Sequence, residues 1–563
     1  MKWFTKKSFA IVVAIVLVLS LVGTVFAAWP GFQSGGSNNG VITAEPPTSS
    51  PATETISLPV NGTTFSGVDT ASVIDDDIAY TLFNGGVVNG AMGGARLSAV
   101  NVSTGVSNWN IQLDADANNV SQLSTPLLVG NTLYAATTYY TNLLEGRGPG
   151  GWGLTSFNFP NGATTTITTT ATITIPEYGY WEPQVIMDVN LPQFASFSGA
   201  VNLIGTSGTL NLGTTSYYEG NFTLYNANEV LIPAGNYSVQ LVMTNNSGVN
   251  VVVSDIQFLI SQWHLWSVNA ATGAATQLGY GSEQGFSYGY GQANTPISTD
   301  GTYIYFGIFE GDRSYYQYTI NGVFVNRYIP NEFFPDSGVP GDDFYNAGAY
   351  SDGEHVWFGS DSGVVYGLYV SNFQQFDNDN WSMYDQIRST VVYDGNNNFY
   401  FTAVDTGTSD GYLIRLTLNP TSQLITSAGF ANLPNTSTST PVISDNDIIY
   451  VGWGEFSSGG VNAYPVGFAN NANGTPVYVG DPVKASPIVW SDGPNDFIYF
   501  TTNTGLPYGN VGGGYCYSYD GSAAAFEWSE LGTSSNTYAL QGFASDSGVL
   551  IYGDDGNYLY VMK

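Results

Sequence analysis

Residues 440–452 read TPVISDNDIIYVG. An apolar run, a Ser-Asp-Asn-Asp cluster and an aromatic-bearing apolar run follow one another. Asp445 and Asp447 read either as cation ligands or as the tip of a β-hairpin, where Asp and Asn suit tight turns. The rest of the chain decides between them. The same plan recurs as ASVIDDDIAYT from Ala71, TPLLVGNTLYAAT from Thr125, TPISTDGTYIYFG from Thr295 and GAYSDGEHVWFG from Gly348. It returns as TVVYDGNNNFYFT from Thr390, SPIVWSDGPNDFIYFT from Ser486 and GFASDSGVLIYG from Gly542. The tips vary, from Asp75-Asp76-Asp77 through Gly130-Asn131, Asp300-Gly301, Asp352-Gly353 and Asp394-Gly395 to Asp546-Ser547-Gly548. They share turn chemistry rather than a ligand set, so each copy reads as a hairpin.

The equivalent aromatics are Tyr80, Tyr134, Tyr305, Trp357, Tyr400, Tyr450, Tyr499 and Tyr552, and six of the seven gaps between them lie near 50 residues. That is the size of a four-stranded propeller blade. A third strand follows most hairpins (ARLSAVNVSTG, HLWSVNAATG, GYLIRLTL, GYCYSYDG, NYLYVMK), and often a fourth (VSNWNIQL, AFEWSEL). The eighth copy ends at Lys563 after its third strand, and ETISLPV, residues 54–60, is the candidate for its missing outer strand. Both ends of the chain would then close the ring and leave no edge exposed. The expected fold is all-β, an eight-bladed β-propeller, with seven blades as the alternative.

The one long gap, 171 residues, marks an insertion from about Gly153 to Gln262 in a hairpin loop of the second blade. Its alternating runs, among them TTTITTTATITI, QVIMDVNL and GNYSVQLVMTN, suit an immunoglobulin-like or jelly-roll β-sandwich. The expected order is a signal over residues 1–28, a disordered linker over 29–53, propeller over 54–152, insert over 153–262 and propeller over 263–563. The linker is read from its Gly, Ser, Pro and Thr content.

Composition agrees with the β reading and narrows function. The chain has 563 residues, 15 % of them aromatic, with 68 Gly and 39 Tyr. Three of its 11 basic residues are Lys2, Lys6 and Lys7, so only eight face the 44 acidic ones. A phosphate backbone needs cationic side chains, which excludes nucleic acid and disfavours an anionic membrane surface. Cys516 is alone and His264 and His355 are the only histidines, so neither a disulfide framework nor a Cys- or His-rich metal site can be built. MKWFTKK followed by an apolar run ending at Ala27 and Ala28 reads as a secretory signal, with an uncleaved anchor as the alternative. Sequons at Asn61, Asn101, Asn119, Asn221, Asn236, Asn245, Asn380, Asn435 and Asn473 fit an exported glycoprotein at the cell surface.

Residues 99–109, AVNVSTGVSNW, resemble the tryptophan-docking repeat Ala-x-Asp-x-x-Thr-Gly-x-x-x-Trp of PQQ-like propellers, the quinoprotein alcohol dehydrogenase-like and BamB-like family. Ala99, Thr104, Gly105 and Trp109 match, and Asn101 replaces Asp. SVNAATGAATQ keeps Thr272 and Gly273 but has Gln277 in place of Trp, while SYDGSAAAFEW keeps Asp520 and Trp528 but loses Thr-Gly. The resemblance implies a propeller in which Thr104, Gly105, Trp109 and Trp528 do structural docking between blades. Enzymes of that family carry vicinal cysteines, a bound calcium and a catalytic Asp. The single Cys516 cannot form that disulfide, and few cations are available for a quinone's carboxylates, so PQQ is disfavoured and no cofactor is expected.

Calcium stays open at DNDNWSMYD, where Asp377, Asp379 and Asp385 offer alternating and downstream carboxylates; a solvated loop is the alternative. His264 and His355 read as packed residues. Tyr139, Tyr140, Phe286, Tyr288, Tyr290, Tyr315, Tyr316, Phe333 and Phe334 are candidate surface aromatics for a sugar or protein partner, or equally inter-blade packing. The expected function is a non-catalytic binding and structural scaffold for a protein or glycan, the insert serving as contact module. The alternative is an enzyme, polysaccharide-active or a PQQ-dependent oxidoreductase.

Overall fold

The computed structural model describes residues 32–34 and 40–563, apart from 61–63, 69, 89–90, 93, 115–122, 144–156, 170–171, 176–178, 191–195, 219–221, 227–229, 281–291, 310–312, 331–341, 377–380, 383–385, 420–424, 455–457, 504–511, 533–541 and 555. Among the described residues every element is a strand except one short 3-10 turn at Phe32–Ser34.

The opening stretch folds as the turn reading requires. Val442–Ile443 and Ile448–Trp453 pair antiparallel around Ser444–Asp447. Asp447 takes the left-handed conformation (φ 59°), as Asp76 and Asp77 do in the first copy (47° and 64°). Asp445 and Asp447 are exposed, and the Asp447 amide donates back to the Ser444 carbonyl at 3.1 Å. In other copies the turn aspartate caps its own loop. Asp300 Oδ1 accepts the Thr302 and Tyr303 amides at 2.8 Å each, and Asp352 and Asp394 do the same for residues 354–355 and for 396 and 398. The repeat's carboxylates thus stabilise turns.

The hairpins extend into antiparallel sheets of the same plan. In one, Ser298–Thr299, Tyr303–Gly307, Tyr315–Thr319 and Phe324–Tyr328 pair in chain order. The last sheet is completed by Thr53–Ser57, which pairs with Tyr558–Met562 from Thr53↔Met562 to Ser57↔Tyr558. The strand expected from ETISLPV therefore does close the C-terminal sheet. Apolar clusters lie between consecutive sheets. One joins Val73, Leu82 and Leu97 to Leu133 and Val268; another joins Tyr400, Leu413 and Ala431 to Ile449, Val451 and Tyr464. The closing cluster combines Ile74, Phe83 and Val100 of the first sheet with Tyr499 and Trp528 and with Leu550, Ile551 and Tyr560 of the last. Sheets that pack in succession and return to the first are propeller-like.

A recurring hydroxyl ties the starts of these sheets together. Thr125 Oγ1 accepts the Ala71 amide at 3.3 Å, Thr390 Oγ1 the Gly348 amide at 3.2 Å, Thr440 Oγ1 the Thr390 amide at 2.9 Å, and Ser486 Oγ the Thr440 amide at 2.9 Å. All six of these residues are buried. Each Thr or Ser opens its repeat, so a buried lead-in amide of one sheet is satisfied by the next.

The described strands between residues 157 and 258 form two further layers. Thr164–Thr168, Ser196–Gly205, Gly208–Tyr218 and Gly235–Asn245 make one antiparallel sheet. Gly179–Asn190 and Phe222–Asn226 extend another along Val251–Asn269. Phe159, Val201, Leu203, Val239, Leu241 and Phe258 are among the residues of their shared core. The strand Val251–Asn269 is continuous. Its first part pairs with Gly179–Asn190 and its last with Thr132–Leu143, so the expected boundary at Gln262 falls inside a strand.

The expected disordered linker over 29–53 is corrected for the residues described. Phe32, Gln33 and Ile42 are buried, Ile42 donates its amide to the Val489 carbonyl at 2.8 Å, and Ala52 exchanges two hydrogen bonds with Lys563 at 3.1 Å. Gly, Ser and Pro lower the cohesion a segment can supply by itself, but here the sheets supply the partners.

Candidate functional site

In a sheet of consecutive antiparallel strands, connections alternate between two ends. The first-to-second and third-to-fourth connections share one end with the short Asx turns. The second-to-third connections and the passages between sheets share the other. Leu143 and Phe258, which bracket the inserted strands, lie at that second end, as do the described residues Tyr280, Gln292, Pro330, Asp342, Asn503, Gly512, Gly532 and Gly542. The inserted strands thus enter from one end, and insertions on a scaffold commonly carry function.

Two polar clusters are described there. In the first, Asp342 and Asp343 come from the passage preceding Tyr350–Ser351, and Asp361 from the connection after His355–Gly359. Arg388 precedes Val392–Tyr393. The Arg388 guanidinium grips Asp361 in bidentate fashion (2.9 and 2.6 Å) and lies 4.5 Å from the Tyr345 ring centre. Asp342 accepts the Ser362 amide at 3.0 Å and the Tyr366 hydroxyl at 2.8 Å, and Arg313 lies 3.2 Å from Asp343. Burial pushes the Asp361 carboxyl above its ordinary value, with Arg388 pulling it back. Burial, reinforced by Asp342, pushes the Tyr366 phenol far up, so it stays a donor. Arginine answers Asp361 and Asp343, and amide and hydroxyl donors answer Asp342.

The second cluster lies where the long strand leaves the inserted layers. His264 Nδ1 is 2.6 Å from Asp114 Oδ1, and its Nε2 is 3.0 Å from Gln262 Oε1. Thr137 Oγ1 donates to Asp114 Oδ2, and Trp266 Nε1 donates to Thr137 Oγ1 at 2.9 Å. His264 and Asp114 are 4 % and 3 % exposed, so this is a buried pair that locks the first sheet's end to the base of the insert. The sequence had offered His264 as a packed residue; its partner lies 150 positions away and carries no local signal. His355 sits within 5.4–5.6 Å of the Trp357, Tyr369 and Phe376 rings, also as a packed residue.

Asp377, Asp379 and Asp385, the calcium candidates, lie outside the described residues, as do Phe286, Tyr288, Tyr290, Phe333 and Phe334. Among the described residues no group of three or more His, Cys, Asp or Glu is placed to hold a metal. Tyr139, Tyr315 and Tyr316 are buried, not surface rings: Tyr139 packs into the insert's core and Tyr315 stacks on Phe358 at 3.7 Å between centres.

The tryptophan positions meet neighbouring sheets. Trp109 donates its Nε1 hydrogen to the Ala270 carbonyl at 2.9 Å, and its ring lies over Gly273, where a Cβ would approach it to 2.9 Å. Asn101, in place of Asp, caps the turn by accepting the Thr104 amide and hydroxyl at 2.9 Å each. Gly105 (φ 67°) faces Glu54. Trp528 donates to the Pro47 carbonyl at 3.0 Å. Tyr558–Met562 and its partner Thr53–Ser57 are not consecutive in the chain, so no turn joins them, and a carbonyl preceding Thr53 receives the ring instead.

The sequons divide by burial. Asn61, Asn119, Asn221 and Asn380 lie outside the described residues. Asn236 and Asn473 are exposed, and Asn101 and Asn435 are half-buried. Asn245 is fully buried, its amide nitrogen donating to the Phe159 and Val249 carbonyls at 2.7 and 2.9 Å, so the fold withholds the atom that would carry a glycan.

These features define an all-β, propeller-like protein. No protein-family model and no curated protein matches the chain. Among solved structures it is similar to the computationally designed Ika8 protein, at 8 % identity and a TM-score of 0.42, over 90 % of this chain and 98 % of that one. It is also similar to a chain of the Mitotic Checkpoint Complex (13 % identity, TM-score 0.37, 53 % of this chain and 83 % of that one). BamB from Moraxella catarrhalis is a third (15 % identity, TM-score 0.35, 53 % and 78 %).

Proposed function

We propose that the chain is an exported, non-catalytic scaffold of the PQQ-like propeller type, an eight-bladed ring carrying an inserted β-sandwich as its contact module. The partner is a protein or glycan at the cell surface. The observation that carries this reading is the separation of the ends: the first-to-second turns, several of them capped by their own aspartate, lie at one, and the inserted strands enter from the other. Two further facts support it. The aspartates of the repeat cap turns, and those of the Asp342 cluster are held by arginine, hydroxyl and amide partners, as suits a platform. Acidic charge with few cations favours a neutral or cationic partner surface.

Mass spectrometry of the purified native protein tests the proposal. Cleavage after Ala27 or Ala28, hexose-bearing Asn236 or Asn473 and no retained quinone are expected. Uncleaved cytosolic chain or a bound quinone would overturn it. A variant lacking residues 150–257 should keep cooperative unfolding while losing adhesion to the surface of its own cells.

A further inference from the structure

The strand Ile488–Asp492, first of the sheet that ends with Ala524–Leu531, is not left with a bare edge. Val41 forms a parallel bridge to Val489: the Ile42 amide donates to the Val489 carbonyl at 2.8 Å and the Val489 amide to the Gly40 carbonyl at 3.0 Å. Gly40 has φ +63°, and a Cβ there would meet Val442 Cγ2 at 2.9 Å. Ile42, 5 % exposed, enters the closing core. The Pro47 carbonyl accepts both Trp528 Nε1 (3.0 Å) and the Tyr499 hydroxyl (3.3 Å). Main-chain pairing at an edge, one position only glycine fits, one aliphatic anchor and one carbonyl clamp are the parts by which a sheet edge captures an extended peptide.

We propose that this edge, together with Tyr499 and Trp528, is a binding groove for an extended peptide, occupied in the folded chain by its own residues Gly40–Pro47. The ligand class is a peptide with glycine, a β-branched pair and, about five residues on, a proline carbonyl. The cis segment regulates the groove: a peptide in trans binds in proportion to the fraction of chains whose segment has lifted. The proposal does not depend on the partner suggested above.

The test uses the full chain and a fluorescent synthetic peptide of residues 29–52. A Gly40→Val chain, whose own segment cannot seat, should bind the peptide saturably. The unaltered chain should bind it at least about tenfold more weakly. A peptide carrying the same Gly40→Val change should not bind, and Trp528→Phe in the Gly40→Val chain should weaken binding. Should Gly40→Val fail to fold, Ile42→Asp replaces it. In the unaltered chain the Val489 amide should exchange with solvent faster than the Tyr499 amide, through local lifting of the segment. Val489 exchange only by global unfolding overturns the proposal, as does absence of peptide binding to a folded variant or equal binding of a scrambled peptide.

Discussion

Thr440→Val isolates one link of the recurring hydroxyl contact. Valine matches threonine in shape, and Thr440 is only 1 % exposed, so packing is nearly unchanged. What is lost is the acceptor for the Thr390 amide, which donates to Thr440 Oγ1 at 2.9 Å inside the protein. A buried amide left without a partner costs about 1–3 kcal/mol. With an unfolding entropy near 2.1 cal/mol/K per residue, 563 residues give about 1.2 kcal/mol/K, so a cost of about 2 kcal/mol lowers Tm by only about 2 °C. Calorimetry would register that shift, but hydrogen exchange is the sharper assay. Protection of the Thr390 amide should fall by about 30-fold where exchange proceeds through local opening. Thr426→Val serves as control, because its exposed hydroxyl donates to the Thr417 carbonyl at 3.0 Å and its loss should cost no more than about 0.5 kcal/mol. If Thr440→Val and the control shift Tm equally and Thr390 protection is unchanged, the hydroxyl contact does not contribute to stability.

Gly273→Ala should destabilise by about 1–3 kcal/mol, because it combines φ +72° with a clash against the Trp109 ring, and Trp109 fluorescence should shift as the ring is displaced. His264→Phe leaves the Asp114 carboxylate buried without its ring partner, with an expected loss of about 3 kcal/mol in urea unfolding. Asp114→Asn, which keeps a hydrogen-bonding side chain, should lose less. Burial pushes the Tyr400 phenol up to about 12. Because the fold favours the neutral form, its contribution is complete below pH ~10 and declines as pH rises through about 12, by about 3 kcal/mol in all. Tyr400→Phe should therefore remove tyrosinate absorbance that appears only near pH ~12 in the folded protein; ionisation of Tyr400 near its ordinary ~10 in the folded protein would refute this.

The sequence by itself determined the repeat. Hairpins with Asp, Asn and Gly at their tips are local objects, so the turn at Ser444–Asp447 and the spacing of the aromatics were legible without any contact. Closure by residues 53–57 was legible too, because a count of strands left one sheet short. Tertiary structure decided whatever depends on residues far apart in the chain. The Asp114–His264 pair spans 150 positions, and the Trp528–Pro47 bond 481. Neither residue type announces such a partner. The Thr and Ser opening the repeats were visible, but their acceptor role needs a neighbouring sheet. The segment around Gly40–Pro47 reads as linker because its composition supplies little cohesion of its own. It is ordered by an edge and two donors built from residues more than 400 positions away, and a hydrogen bond or buried surface of that kind exists only once the ring has closed.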